Sequence, residues 1–186
     1  MRFVSRVQWL WLAGIALAMI VAMRLEGRVW NCECGRWTPW AGDVWSEHAS
    51  QHFLDPYAIT HFLHGFAFCG MLVLAFPKLE AGWRLVSATL LEAAWEVAEN
   101  SPIVIERYRA GTMALGYEGD SILNSVGDLL ACAIGVIAAQ RWGWKFSIAA
   151  FVFLELLLLV WIKDNLTLNV VMLIHPIDAI KEWQTR

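Results

Sequence analysis

Charge is scarce in this chain. Asp, Glu, Lys and Arg make up 17% of its 186 residues and apolar side chains 59%, whereas a soluble domain has about a quarter charged and under half apolar. A large water-facing catalytic domain is excluded by that balance. Basic excess is missing too: with a net charge of -3 there is no cationic surface to displace counterions from phosphates, and nucleic acid is excluded as a partner. The chain has neither a phosphate-cradling Gly-rich motif nor a G-x-S-x-G elbow, which sets aside ATP-driven and serine-hydrolase chemistry. No internal repeat, low-complexity tract or linker divides it, so residues 1–186 read as one integral-membrane domain.

What is present is apolar length. Val7 to Met23 holds no charged residue, and at about 1.5 Å per residue it nearly spans a ~30 Å hydrocarbon core. Its basic start, Arg2 and Arg6, fits a retained signal-anchor, because no small-x-small cleavage site follows. The pattern predicts an all-α polytopic bundle of about five transmembrane helices, at about 7–24, 58–77, 83–101, 119–140 and 146–162. An outer loop covers 25–57. The tail 163–186 is interfacial or re-entrant, since Leu166 to Ile174 is too short to span. Arg2, Arg6, Lys78, Arg84, Arg141 and Lys145 crowd the short segments on one side, placing the N-terminus inside and the C-terminus outside. Trp83, Trp142, Trp144 and Trp161 fall at predicted helix ends as an interfacial belt, whereas Trp95 is expected to pack between helices.

The informative residues are polar ones inside these spans. Glu92, Glu96, Glu99 and Asn100 share one face of the third helix; Asp120, Asn124 and Asp128 share one face of the fourth; His61 and His64 share one face of the second. A carboxylate at a helix centre costs about 2.5 to 3.5 kcal/mol on insertion scales, so these groups must face one another, a cation or water. Comparing depths along alternating helices, Asp120, Glu99, Asn100 and His61 lie outermost, His64, Glu96 and Asn124 about a turn further in, and Glu92 and Asp128 deepest. One outward-opening polar chamber follows. Its plainest reading is a hydrogen-bonded core that glues helices. Against that stands the excess of acids over cationic partners, which protonation or metal binding would relieve.

In the catalytic reading His61, His64 and one of Glu96, Glu99 or Asp120 hold a divalent metal such as zinc, a remaining acid serves as base, and Asn124 and Arg107 steady an anionic substrate. Glu96 is expected to matter more than Glu92, which is placed beside Asp128. A proton or ion pathway and a non-catalytic accessory subunit with a membrane-protein partner are the competing readings. Gly127 and Gly135 would admit close helix approach, and Cys69 and Cys132 read as small packing residues. In the outer loop, Cys32-Glu33-Cys34 followed by His48 and His52 partly matches a Cys2His2 zinc pattern, with loop redox chemistry or plain loop cysteines as alternatives.

On the segments Ser50 to Asp55, His61 to Gly65, Trp95 to Pro102, Gly116 to Ser125 and Asn165 to Gln184, the chain resembles an uncharacterised family of proteobacterial integral-membrane proteins. That resemblance implies a membrane location and lends no activity. A second resemblance is to VanZ-like membrane proteins, associated with glycopeptide resistance. Their pattern of His, Glu, Arg and D-x-x-x-N-x-x-G reads here as His61, Glu92 or Glu96, Arg107 and Asp120 to Gly127, with further acids where that pattern has a Gln. The geometry of the stripes leads to the expectation of a chamber that binds or processes a membrane lipid or cell-wall-related molecule.

Overall fold

The computed structural model describes residues 4–114 and 116–185; Arg2, part of the basic start, and Arg186, the end of the predicted tail, lie outside them. Among the described residues the chain is all-α, with seven helices and no strand. Three of these, Arg6–Leu25, Ala58–Ala75 and Ile122–Ile162, are long and apolar enough to cross a membrane.

Helix α1 (Arg6–Leu25) starts at a capping box. The Ser5 hydroxyl accepts from the Gln8 backbone N–H and the Gln8 side chain accepts from the Ser5 N–H, which satisfies two donors that a helix start leaves free. Helix α2 (Ala58–Ala75) stops ahead of Pro77, and α3 (Ala81–Glu99) stops ahead of Pro102, because proline disfavours helical backbone in the residue before it. Pro102 then opens a helix of its own, α4 (Pro102–Gly111), at the position where its missing N–H costs nothing. The stretch between the predicted helices 83–101 and 119–140 is thus partly helical. Helix α5 (Ile122–Ile162) begins at Ser121, whose hydroxyl accepts from the Asn124 N–H. Beyond it come α6 (Leu166–Ile174) and α7 (Asp178–Thr185).

The 41 residues of α5 are two helices folded back on one another. Gly143, at φ 74° and ψ 166°, is non-helical, a conformation that suits a residue without Cβ. If straight, this length would run about 60 Å. Instead both ends meet the segment between α1 and α2. The Ile122 N–H donates to Val29 O, while at the far end the Trp161 ring stacks on Trp40 and Asp164 accepts from the Tyr57 hydroxyl. The predicted separate helices 119–140 and 146–162 correspond to these two halves.

Packing is closest between α2 and α5. A Cβ on Gly65 would strike the backbone of Cys132 and Val136, one on Gly135 would strike the carbonyl of Phe62, and one on Gly127 the carbonyl of Phe53. In hydrocarbon, burying apolar surface gives helices little drive to associate, so close backbone approach carries the contact. Cys69, Leu72, Leu85, Ala88, Cys132 and Val136 form an apolar layer across α2, α3 and α5, and Ile15, Met19 and Met23 join α1 to α3 and α5. Outward positions such as Leu74, Phe146 and Val160 are exposed.

Candidate functional site

Above that layer the same three helices turn polar. His61 Nδ1 lies 2.6 Å from Glu92 Oε1 and 3.2 Å from Glu96 Oε1, and His61 Nε2 lies 4.0 Å from Asp128 Oδ2. His64 Nδ1 reaches the other oxygen of Glu92 at 2.9 Å. Glu92 is therefore clasped by both imidazoles. Glu92 and Glu96 have no exposed surface and Asp128 is 2% exposed. This corrects the depth assignment: His61 sits against Glu92, Glu96 and Asp128, with Glu99 also in reach, and not in the rung of Asp120. Glu92, set aside on the spacing argument, is the acid on which the histidines converge.

Asp120 stands in a separate rung nearer the mouth. Its carboxylate accepts from the Asn100 side-chain amide and the Tyr117 hydroxyl, both at 2.9 Å, and its backbone N–H donates to the side-chain Oδ1 of Asn100 at 2.6 Å. Asn124 donates to the His52 carbonyl. The cavity joining these groups is small, about 70 Å³, and is lined by His61, His64, Glu99, Asp120, Asn124 and Asp128 among others. Arg107 is not brought to it. Its guanidinium donates to the carbonyls of Leu173 and Ile174, capping the end of α6 as cations do at helix C-termini.

Tyr57, Tyr108, Tyr117 and Trp95 line the cavity as well, and the sequence reading passed over the tyrosines. Trp95 sets its edge to His64 with ring centres 6.2 Å apart. Arg28 donates through Nε to the Asp120 backbone carbonyl at 3.1 Å. Outside the spans, burial pushes the carboxyl of Asp164 up to about 6, although Asn165, Tyr57 and Gln184 donate to it.

Two sets of side chains in the chamber bring donor atoms within 4.8 Å of one another: His61, His64 and Glu92, and His61, Glu96 and Glu99. Asp120 belongs to neither, so Glu92 takes the place expected for it beside the histidines. Both oxygens of Glu96, one of Glu99 and one of Asp128 are buried without a hydrogen-bond partner. Unpartnered buried oxygens are costly, and these four leave the cluster around His61 with more acceptors than donors. Glu155, the other acid within α5, differs: its carboxylate accepts from the N–H groups of Leu166 and Thr167 and from the Thr167 hydroxyl, capping α6 from outside.

A third set lies in the loop between α1 and α2, where Cys32, Cys34, His48 and His52 likewise bring donor atoms within 4.8 Å. There the Cys34 thiol is drawn below its ordinary value by a hydrogen bond from Cys32, and burial pushes Cys32 up.

Known proteins place the chain among relatives. The family described as "Protein of unknown function (DUF2585)" matches residues 23–186. A UPF0314 protein of Sinorhizobium fredii is 46% identical over 183 residues, covering 97% of this chain and 93% of the relative. UPF0314 proteins of Brucella anthropi and Sphingopyxis alaskensis are 43% and 44% identical, each covering 97% of this chain and 94% and 96% of the relative. These matches carry the first family resemblance and lend nothing to the VanZ-like one. No solved structure matches. The buried acids, the histidine pair and the loop cluster described above therefore lie in a chain that belongs to the DUF2585, or UPF0314, family.

Proposed function

We propose that this protein crosses a bacterial inner membrane five times, N-terminus inside and C-terminus outside, and that its outward-facing chamber holds a divalent cation such as zinc and binds or processes the anionic headgroup of an envelope lipid or cell-wall precursor. The fold-back at Gly143 supports five crossings, since it counts α5 twice, and α3 is long enough for one despite its acids. The observation that carries the chemistry is the cluster of unpartnered carboxylate oxygens on Glu96, Glu99 and Asp128 around His61 and His64. Two imidazoles and Glu92 supply three ligands of the kind that catalytic zinc uses, with a position left for substrate. Such a cation polarises a phosphoryl or carbonyl oxygen. Glu96, within reach of His61 and free of other bonds, is placed to accept a proton. The hydroxyls of Tyr57 and Tyr117 and the amide of Asn124 stand on the wall that an anionic group would meet.

A transmembrane proton route gains less support, because the apolar layer of Leu72, Leu85, Ala88 and Val136 lies beneath the chamber. The test is metal analysis of the full chain purified in lipid nanodiscs, on a Cys34→Ser background so that the loop thiols do not contribute. A stoichiometric divalent metal lost in His64→Ala and Glu92→Gln supports the reading. Absence of metal, with folding and lipid binding indifferent to chelator, overturns the cation. Proton flux in liposomes that Glu92→Gln abolishes would favour the pathway instead.

A further inference from the structure

The loop between α1 and α2 carries two thiols and two imidazoles that the chamber does not use. We propose that Cys32, Cys34, His48 and His52 form a tetrahedral zinc centre that ties this loop across the mouth of the chamber. The inference is independent of what the chamber does.

Each ligand is placed by local backbone. The Cys32 N–H donates to the Gln51 carbonyl at 3.0 Å, which sets the first cysteine beside the segment carrying both histidines. Gly35, at φ 70°, donates to the Cys32 carbonyl; this left-handed turn, natural to glycine, reverses the chain straight after Cys34 and returns its thiol toward Cys32. The reversal is how a C-x-C pair, one residue shorter than the common zinc-finger spacing, still presents two sulfurs to one point. His48 is set by a turn in which its N–H donates to the Ser46 hydroxyl and its carbonyl accepts from Gln51.

The distances suit one ion. Zinc bonds of about 2.3 Å to sulfur and 2.0 to 2.1 Å to nitrogen, set tetrahedrally, put sulfur and nitrogen about 3.6 Å apart. Cys32 Sγ lies 3.3 Å from His48 Nδ1 and Cys34 Sγ lies 3.9 Å from His52 Nε2. The second point is the orientation of His52. The Thr38 hydroxyl lies 3.0 Å from its Nδ1, closer than the 3.5 Å to Nε2. A proton on Nδ1 donated to that oxygen leaves the Nε2 lone pair facing Cys34, the outer-shell arrangement that ligating histidines show. Two thiolates also balance a dication, and thiolate is a ligand that favours zinc over harder ions. With all four positions filled by protein, the centre is of the closed, structural type. Its reach to the chamber is direct: the His52 carbonyl accepts from Asn124, and the Ser50 carbonyl accepts from the Ser121 N–H at the start of α5.

The experiment uses the full chain in nanodiscs, reduced, stripped by chelator and reloaded with cobalt(II). One equivalent showing tetrahedral ligand-field bands and thiolate-to-cobalt charge transfer is expected. Cys34→Ser, at an exposed position where the fold is not at stake, should lose the charge-transfer band and that equivalent, Cys34→His should keep the equivalent with a weaker band, and Glu92→Gln should leave the band intact. Stripping should expose the loop to protease while the helices stay protected. No charge-transfer band, a band indifferent to Cys34→Ser, or recovery of Cys32 and Cys34 as a disulfide whose reduced form takes up no metal would each overturn the proposal.

Discussion

The loop cluster and the chamber sit at one end of the molecule, joined through Asn124 and the His52 carbonyl, and they differ in how their charges balance. In the loop, two sulfurs and two ring nitrogens match one dication, and Thr38 orients the ring of His52. In the chamber, five carboxyls from α3, α5 and the turn before α5 face two imidazoles, and several oxygens lack any partner. A matched set ties chain segments together. An unmatched set stays available to an outside group, at a cost that the surrounding helix contacts must offset. The chamber therefore depends on helix packing, and the loop on its ligand.

That contrast can be broken most severely at the helix contact. Gly135→Leu drives a side chain into the Phe62 carbonyl, where backbone has no rotamer with which to yield. Folded protein should be lost, as judged by yield of monodisperse material on size exclusion; normal yield would mean that α2 and α5 are not pressed together as described. Next in size is Glu92→Ala, which strips both imidazoles of their shared acceptor. Removing one partner of a buried pair costs about 3–5 kcal/mol, so the melting temperature should fall sharply, with the loop's cobalt spectrum unchanged. A simultaneous loss of that spectrum would show that the two clusters are one unit.

A gentler probe is pH. The Asp164 carboxyl is held near 6 against an ordinary 3.8 by burial, so the folded state binds its proton more tightly than the unfolded state does. Its stabilising contribution is complete below about 3.8 and is lost as pH rises through about 6, with an upper bound of about 3 kcal/mol. Asp164→Asn should flatten thermal stability against pH in that window; an unchanged slope would place the titrating group elsewhere. The smallest effect belongs to Thr38→Val. Freeing the His52 ring should weaken zinc about 10- to 100-fold, read by competition with a chromophoric chelator, and leave the melting temperature of metal-free protein in place.

Much of this architecture was legible before any coordinates. Uninterrupted apolar runs marked α1, α2 and both halves of α5, because hydrocarbon admits few charges and so writes its thickness into the chain. Polar stripes at helical spacing identified the faces of α2, α3 and α5 that meet. The partner of each group was not legible. Spacing orders residues along one helix but not how far one helix slides against the next, and that offset sets His61 against Glu92 and not Asp120. Helix α4 was missed because ten residues that include Glu106, Arg107 and Arg109 are too short and too charged to carry a spanning signal. Arg107 was misplaced because a family-like order of residues says nothing about which way a short helix turns its side chains.

The break at Gly143 bears on how the chain enters its membrane. Trp142 and Trp144 flank the break, Arg141 and Lys145 lie just beyond them, and each half runs back to the same end. Such a segment is suited to insertion as a hairpin, with its aromatic and basic tip left at the far surface. Its first half carries Asn124 and Asp128, whose neighbours are contributed by α2, α3 and the loop. Those elements are synthesised earlier. The last hairpin thus arrives at a polar face already waiting for it, and a chain truncated before α5 would leave Glu92 and Glu96 directed at lipid, an open invitation to the membrane's quality-control proteases.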